Sequence, residues 1–535
     1  MRRRSRASRR DRAMTSMKAC AVVVLLFALA ACKVGPNYQR PPLDVPGDYR
    51  GLAPEAQPSK TAAPSPLETV PPAAKPSNAT PPQPPPAVPP AQAQPSEPTP
   101  SPSPATTGPQ QPAPGQVAGQ PGQTFGDMSW TAVFQDEALQ GLIKEALANN
   151  YNLRVAATRV LQAGANLGIV RANQLPSVDG FGSIAYQRNL QLPGAPTFGT
   201  LGLDFNYLVD FWGQYRRATE SARATLLSTE FGRAVVQISL INSVAANYYL
   251  LLQYDDQLEY SRKTVEADQE ILKLNNIKFH GGEAAVTDVY QAQVILQQAE
   301  SSAITYQQLA EQAENNLSIL LGRNPGPIKR GLSLTDQLEL PEIPAGLPSD
   351  LLRRRPDVRQ AEQNLVAANA NVGVAKALFF PQFAITGQFG AQSTALNSFL
   401  SGPGTFWAIA GSGTQPIFEG GRIRSNYRLA WAQRDQAELQ YKQTLQSAFN
   451  DVSNSLIGYQ QARKFRMKIE EQTHTYADLV RLSNVRYQGG YTAFLEVQYN
   501  EQQYFQSALL LSQAWYLELQ YYAALYQSLG GGWQP

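Results

Sequence analysis

Cysteine and histidine are nearly absent from this chain, with two of each in 535 residues. Neither a disulfide framework nor a Cys/His zinc site can be built from so few. His280 and His474 fall in amphipathic stretches and read as solvated side chains. A basic surface is missing too. The formal charge is +3, but residues 1–31 carry eight Lys/Arg against one acid, a net of +7, so the rest of the chain is at about −4. That removes the cationic footprint a nucleic-acid binder needs. No nucleophile–base pair, phosphate loop or metal cluster stands out. Gly164–Gly168 has no strand before it, so it is not a dinucleotide site. Asp255-Asp256 and Glu470-Glu471 are paired acids on helical stretches and read as solvated faces. The reading is therefore that the chain is not an enzyme. The apolar run Ala19–Ala31 is too short to remain in a bilayer as a helix.

What is present begins at that run. Behind a basic region it fits an export signal, residues 1–31. Leu29-Ala30-Ala31-Cys32 resembles a bacterial lipobox, which makes Cys32 the lipid-anchored N-terminus of a short segment 32–40. Lys33 behind it, rather than Asp, resembles lipoproteins sorted to the outer membrane. Residues 41–122 hold 26 of the 40 prolines and cannot bury enough apolar surface to fold, so they read as a Pro-rich disordered tether.

The remainder is an internal duplication. At an offset of 205, Arg154, Ala156, Ala163, Ala165, Asn166, Gly168, Ala172 and Pro176 match Arg359, Ala361, Ala368, Ala370, Asn371, Gly373, Ala377 and Pro381. At 207, Phe211, Gly213 and Arg217 meet Phe418, Gly420 and Arg424; at 208, the pairs Gly281-Gly282 and Gly489-Gly490 coincide. The two units are 123–321 and 350–530, joined by a Pro-containing linker 322–349 and followed by a tail 531–535. Each unit reads as a helix, two strands of period two, a very long helix, a Gly-Gly turn and a returning helix. Leu203, Phe205 and Tyr207, like Phe383, Ile385 and Phe389, alternate with small or polar residues. The returning helix of the first unit repeats at 3,4 spacing through Val289, Ala292, Leu296, Ala299, Ala303, Tyr306, Ala310, Ala313, Leu317 and Leu320, a coiled-coil seam. Tyr441, Leu445, Ala448, Val452, Ser455, Tyr459 and Ala462 follow the same rule.

Four strands of about ten residues suit a membrane barrel in length but cannot close one, since known barrels begin at about eight strands. Several copies must share it, and a trimer supplies twelve strands. The rival is a soluble helical protein with a small β-subdomain; the lipobox, the alternating strands and the helix lengths argue against it.

At this point the chain resembles a family. Cys32-Lys33-Val34-Gly35-Pro36-Asn37-Tyr38-Gln39-Arg40-Pro41 and the stretch from Trp130 to Leu153 are similar to outer membrane factor lipoproteins. Gly346-Leu347-Pro348-Ser349-Asp350-Leu351-Leu352-Arg353-Arg354-Arg355-Pro356-Asp357-Val358 resembles the signature of their TolC-like, NodT-type branch, the outer channels of resistance-nodulation-division efflux systems. The resemblance implies an α+β membrane channel: a trimeric 12-stranded β-barrel in the bacterial outer membrane, above a periplasmic barrel of long coiled-coil α-hairpins, with 322–349 at its equator. It implies a passive exit duct for drugs or other small molecules. An inner-membrane resistance-nodulation-division transporter drives it through a periplasmic adaptor protein. It implies no cofactor beyond the lipid on Cys32.

The same resemblance assigns the Gly-Gly turns, Gly281, Gly282, Gly489 and Gly490, to periplasmic tips, with Arg486, Tyr487, Leu495 and Glu496 in the gate region. Tyr499 stands where relatives often carry an aspartate. It either rings the constriction or packs between helices. Leu203, Phe205, Tyr207, Phe383, Ile385, Phe389 and Trp407 are the expected membrane-facing barrel residues. The alternatives are an exit duct for type I protein secretion or metal efflux and, in a different class, a periplasm-spanning structural lipoprotein without a pore.

Overall fold

The computed structural model describes residues 33–42, 125–186, 197–337, 351–393 and 404–533. The export signal, Cys32, nearly all of the tether, both strand-to-strand loops and residues 338–350, with Gly346–Asp350 of the signature, lie outside the described residues.

After a short 3-10 turn, α1 spans Trp130–Val133, α2 Glu137–Asn149 and α3 Tyr151–Ala172. Asn150 separates the last two and caps α3: its side chain accepts from Leu153 N–H at 3.1 Å and donates to Leu320 C=O at 2.8 Å. Strands β1 Ser177–Tyr186 and β2 Thr197–Val209 follow, then α4 Gln214–His280 and α5 Val286–Leu320. The second unit repeats the order with α6 Leu351–Arg354, α7 Pro356–Ala377, β3 Gln382–Ser393, β4 Thr405–Thr414, α8 Arg422–Gln488 and α9 Phe494–Ser528. The proline of α7 sits at the first helical position, where its missing N–H costs nothing.

The two long helices have 67 residues each and contain no proline, so nothing interrupts their hydrogen-bond ladders over about 100 Å. Both start after a glycine of positive φ, Gly213 and Gly421. Those glycines are 208 apart, which corrects the expected offset of 207: Gly421, not Gly420, is the counterpart of Gly213. The extra residues sit in the loop before α8, and in the helical frame Arg217 corresponds to Ser425 rather than Arg424.

The strands form one antiparallel sheet in the order β1-β2-β3-β4, with β1 and β4 as its edges. An unpaired edge leaves ladder groups open, and within hydrocarbon that requires strands from further copies. In the helices the returning seam of α5 is buried at Ala292, Ala299, Ala310, Ala313 and Leu317, and its remaining positions are half-buried. On α8 the buried stripe runs Tyr441, Leu445, Ala448, Val452, Leu456, Tyr459 and Ala462. Leu456 takes the core place expected for Ser455. The main core lies at mid-height, where Phe125 and Phe134 meet Tyr522 and Tyr526 at ring separations of 5.1–6.5 Å.

Candidate functional site

Both long helices end in the same way. Gly282 and Gly490 have φ of +77° and +75°, and the next N–H reaches back five residues: Glu283 to Lys278 C=O at 2.8 Å, Tyr491 to Arg486 C=O at 2.9 Å. This cap demands glycine at the left-handed position. Gly281 and Gly489 keep right-handed φ near −78°. At Gly489 a Cβ would come within 2.9 Å of the Tyr491 ring, whereas at Gly281 it would meet only ordinary contacts. The two tips are therefore alike in backbone and different in their tolerance.

The gate-region residues form one cluster on the second tip. Arg486 Nη1 donates to Glu496 at 3.0 Å, and Thr492 Oγ1 bonds the other Glu496 oxygen. Tyr487 stacks obliquely on Phe494, with centroids 5.4 Å apart. Its hydroxyl accepts from Lys278 Nζ at 2.8 Å, and the same ammonium lies 4.3 Å from the ring centroid. Lys278 belongs to the first tip, so this contact ties the two hairpins together. Sequence reasoning missed Lys278 as a site residue, although it stands three residues before Gly281 as Arg486 stands before Gly489.

Leu495 and Tyr499 are about 60% exposed and line, with Tyr290 and Val294 of α5, a groove of about 390 Å³. Tyr499 is thus not enclosed between helices of its own chain. Gln498, in the wall of that groove, is buried, and its Nε2 has no partner among the described residues. Further up, Asp268 of α4 is 5% exposed and its Oδ2 is equally unpartnered. Burial, reinforced by the Glu501 carboxylate of α9, pushes the Asp268 carboxyl up to about 7. Burial also raises Glu501, against a hydrogen bond from Asn484 at 3.4 Å.

In the sheet, the register places Leu203, Phe205 and Tyr207 beside Phe389, Gly387 and Ile385, with Phe383 and Trp407 on that same face. Val178, Ile184 and Tyr186 of β1 share it through their pairing with β2. The opposite face carries Asp179 directly across from Asp204, and Gln388, Thr386, Asn206 and Ser183. It also carries the row Phe181–Gly202–Gly390–Phe406. Each phenyl leans over its glycine, 2.9 and 3.0 Å from where a Cβ would stand. The four strands contain no Lys or Arg.

Just below the sheet, residues 33–42 run as a strap along α4 and α7. Val34 N–H donates to Trp212 C=O at 3.1 Å, and Lys33 pairs with Glu220 at 3.1 Å. Arg217, 2% exposed, donates to Gly35 C=O and to Asn37 Oδ1 at 3.3 and 2.8 Å. Asn369 donates to Pro36 C=O at 3.0 Å, and Arg40 grips Glu362 with two bonds of 2.7 and 2.5 Å. Gly35, at φ +113°, lies so close to the Gly373 backbone that it admits no side chain, and a Cβ at Gly373 would meet Arg217 Cγ and Val34 C=O at 2.9 and 3.0 Å. Trp212 itself follows β2 and stacks on Phe380 at 4.7 Å. Lys33, the neighbour of Cys32, is thereby held at the foot of the sheet.

At mid-height Asp255 and Asp256 are part-buried and partnered rather than solvated as expected, whereas Glu470 and Glu471 stay largely at the surface. Asp255 takes Arg330 in two bonds of 2.8 and 3.0 Å, and Asp256 is bonded by Ser512 across to α9. Arg330 also pairs with Glu314, which pins the segment after α5 to both helices of its hairpin. Glu470 pairs with Arg466 and the exposed Glu471 with Lys468. His280 and His474 are exposed. Among the described residues no group of three or more His, Cys, Asp or Glu is placed to hold a metal.

Known proteins are similar to this chain in sequence and fold. The chain matches the family described as outer membrane efflux protein over residues 142–323 and 347–531. It is 35% identical over 426 residues to the probable efflux pump outer membrane protein TtgC of Pseudomonas putida, covering 76% of this chain and 86% of that one. It is 32% identical over 411 residues to the cation efflux system protein CusC of Escherichia coli, covering 76% and 88%. A crystal structure of CusC superposes with a TM-score of 0.72 at 29% identity, over 79% of this chain and 99% of that one.

Proposed function

The chain belongs to the outer membrane efflux protein family, as the outer membrane channel of a tripartite efflux pump, and we propose that it is a passive trimeric duct gated at its two helical tips. Three copies supply twelve strands, closing the sheet edges left open in one chain. The face of Leu203, Phe205, Tyr207, Phe383, Ile385, Phe389 and Trp407 meets lipid, and the face of Asp179 and Asp204 lines the lumen. Cys32 carries the lipid, which the strap delivers to the periplasmic edge of the barrel. Transport energy comes from an inner-membrane transporter of the resistance-nodulation-division type, coupled through a periplasmic adaptor that meets the tips. The chain contributes no chemistry of its own, and its cargo is small molecules.

One observation carries the gate reading: the Lys278–Tyr487 contact, which bridges the hairpins at the tip. It combines a charge-assisted hydrogen bond with a cation–π contact, each worth about 1 kcal/mol at a part-exposed site. Three such latches per trimer favour a closed tip by a few kcal/mol, small enough for a docking adaptor to overcome. Tyr499 and Leu495 then stand where the closing hairpins converge. The test is Lys278→Ala alongside Tyr487→Phe, with single-channel conductance of the purified protein and vancomycin sensitivity of the cells as readouts. Lys278→Ala is expected to raise conductance and admit vancomycin at unchanged protein level, with Tyr487→Phe intermediate because the ring remains. Conductance and sensitivity at wild-type values in both variants would remove the latch.

A further inference from the structure

Phe181 and Phe406 stand on the two outer strands, β1 and β4, in one cross-strand row with Gly202 of β2 and Gly390 of β3. Each ring reaches one strand inward. Cζ of Phe181 lies 2.9 Å from where a Cβ on Gly202 would stand, and Cζ of Phe406 lies 3.0 Å from one on Gly390. A side chain on either glycine would strike the ring that covers it. Gly202 and Gly390 are themselves directly opposed, so the two ring tips end about 5 Å apart, one strand spacing. Rings and glycines together form an apolar strip about 14 Å long, the width of three strand spacings. Both rings are half-buried, so part of each stays open to solvent.

Polar rows border the strip on both sides. Two residues toward the helices lies Asp179–Asp204–Gln388, and two residues the other way lies Ser183–Thr200–Gln392. Shielding the glycine backbones accounts for the contact of each ring with the sheet, but it leaves the outer surface of the strip without a role. Apolar surface set into a wetted polar wall is where an apolar solute adsorbs. The acids beside it define which solute. Asp179 and Asp204 are directly opposed across the β1–β2 pair, an arrangement of like charges that costs stability unless a cation stands near. None of the four strands supplies one, since they contain no Lys or Arg. Asp179 is two residues from Phe181 on the same strand and face, a distance of about 7 Å.

We propose that the strip and the acid pair form a station in the barrel wall for flat aromatic cations. The ring system of the solute stacks on Phe181 and Phe406, and its positive centre stands over Asp179 and Asp204. An aliphatic cation meets the acids alone. An aromatic anion meets the rings against the repulsion of the acids. The solute lies against a wall rather than inside a pocket, so only one of its faces is covered. Binding is therefore weak and exchange fast, which suits a duct that has to release whatever it holds.

This rests on the reading of that face as the lumen, which Phe181→Cys tests separately. A membrane-impermeant cationic methanethiosulfonate should lower the conductance of this variant and leave wild type unchanged; an unreactive cysteine would move the face out of the lumen. The station itself is tested on the purified full-length channel in a planar bilayer. Proflavine serves as the aromatic cation and tetraethylammonium as the aliphatic one, both added at the barrel side. Proflavine is expected to block at the lower concentration. Phe181→Leu with Phe406→Leu keeps the glycines covered and removes the aromatic faces. This pair should raise the half-blocking concentration of proflavine about fivefold, with the KCl conductance and the tetraethylammonium value unchanged. Asp179→Asn with Asp204→Asn should raise both blocking concentrations. Proflavine block unchanged in the leucine pair, or both blockers weakened equally by it, overturns the station.

Discussion

Asp268 offers a sharp test of the helical interior. It is a nearly enclosed carboxyl with an unpartnered oxygen, facing Glu501 across the interface between α4 and α9. In an unfolded chain it would ionise near 3.9. Folded, it ionises at about 7, so the native state holds its proton longer. The sign follows directly: between about 4 and 7 the native state binds more protons than the unfolded one, and stability falls as pH rises through that window. Below it there is no penalty, and above it the full penalty applies. Three pH units correspond to about 4 kcal/mol per protomer, an upper bound because water reaching the opened interface relieves part of it. Asp268→Asn keeps shape and removes the charge. At pH 8 the variant should melt several degrees above wild type, followed by the helical circular dichroism signal in detergent. At pH 4.5, near the bottom of that window, most of the difference should be gone. Glu501→Gln should shift the wild-type transition to lower pH, because it removes the repulsion and leaves the burial. A wild-type melting temperature independent of pH from 4.5 to 8, with the Asn variant superimposed on it, would refute a buried, uncompensated carboxylate.

Two further perturbations bear on the barrel and its anchor. Asp179→Asn with Asp204→Asn removes the only charges in the four strands, a directly opposed pair repeated in each copy. The potassium-to-chloride permeability ratio, from reversal potentials in a salt gradient, should fall several-fold toward unity, and an unchanged ratio would put that face away from the lumen. Cys32→Ser should abolish radiolabelled palmitate incorporation while leaving the channel in the outer membrane fraction as an oligomer. Label retained in the variant excludes Cys32 as the lipid site, and recovery of the protein in the soluble periplasmic fraction excludes a self-anchoring barrel.

What was legible in the sequence and what was not divide along a physical line. Period two and a 3,4 seam are properties of one element, so β2, β3 and the α5 stripe could be read from their own residues. The glycine tips were legible because a left-handed cap has a residue requirement that no packing can replace. Contacts between elements were a different matter. Lys278 meets Tyr487 from 209 positions away, and Asp268 meets Glu501 across two hairpins; neither pairing has a period. The duplication offset is the instructive failure. An alignment at 207 matched Arg217 to Arg424 by identity, and the helical frame at 208 matches it to Ser425. On a helix one residue is about 100°, so a single inserted loop residue turns a buried clamp into a neighbour on another face. Identity across a repeat therefore ranks below the phase of the helix when the question is what a side chain touches.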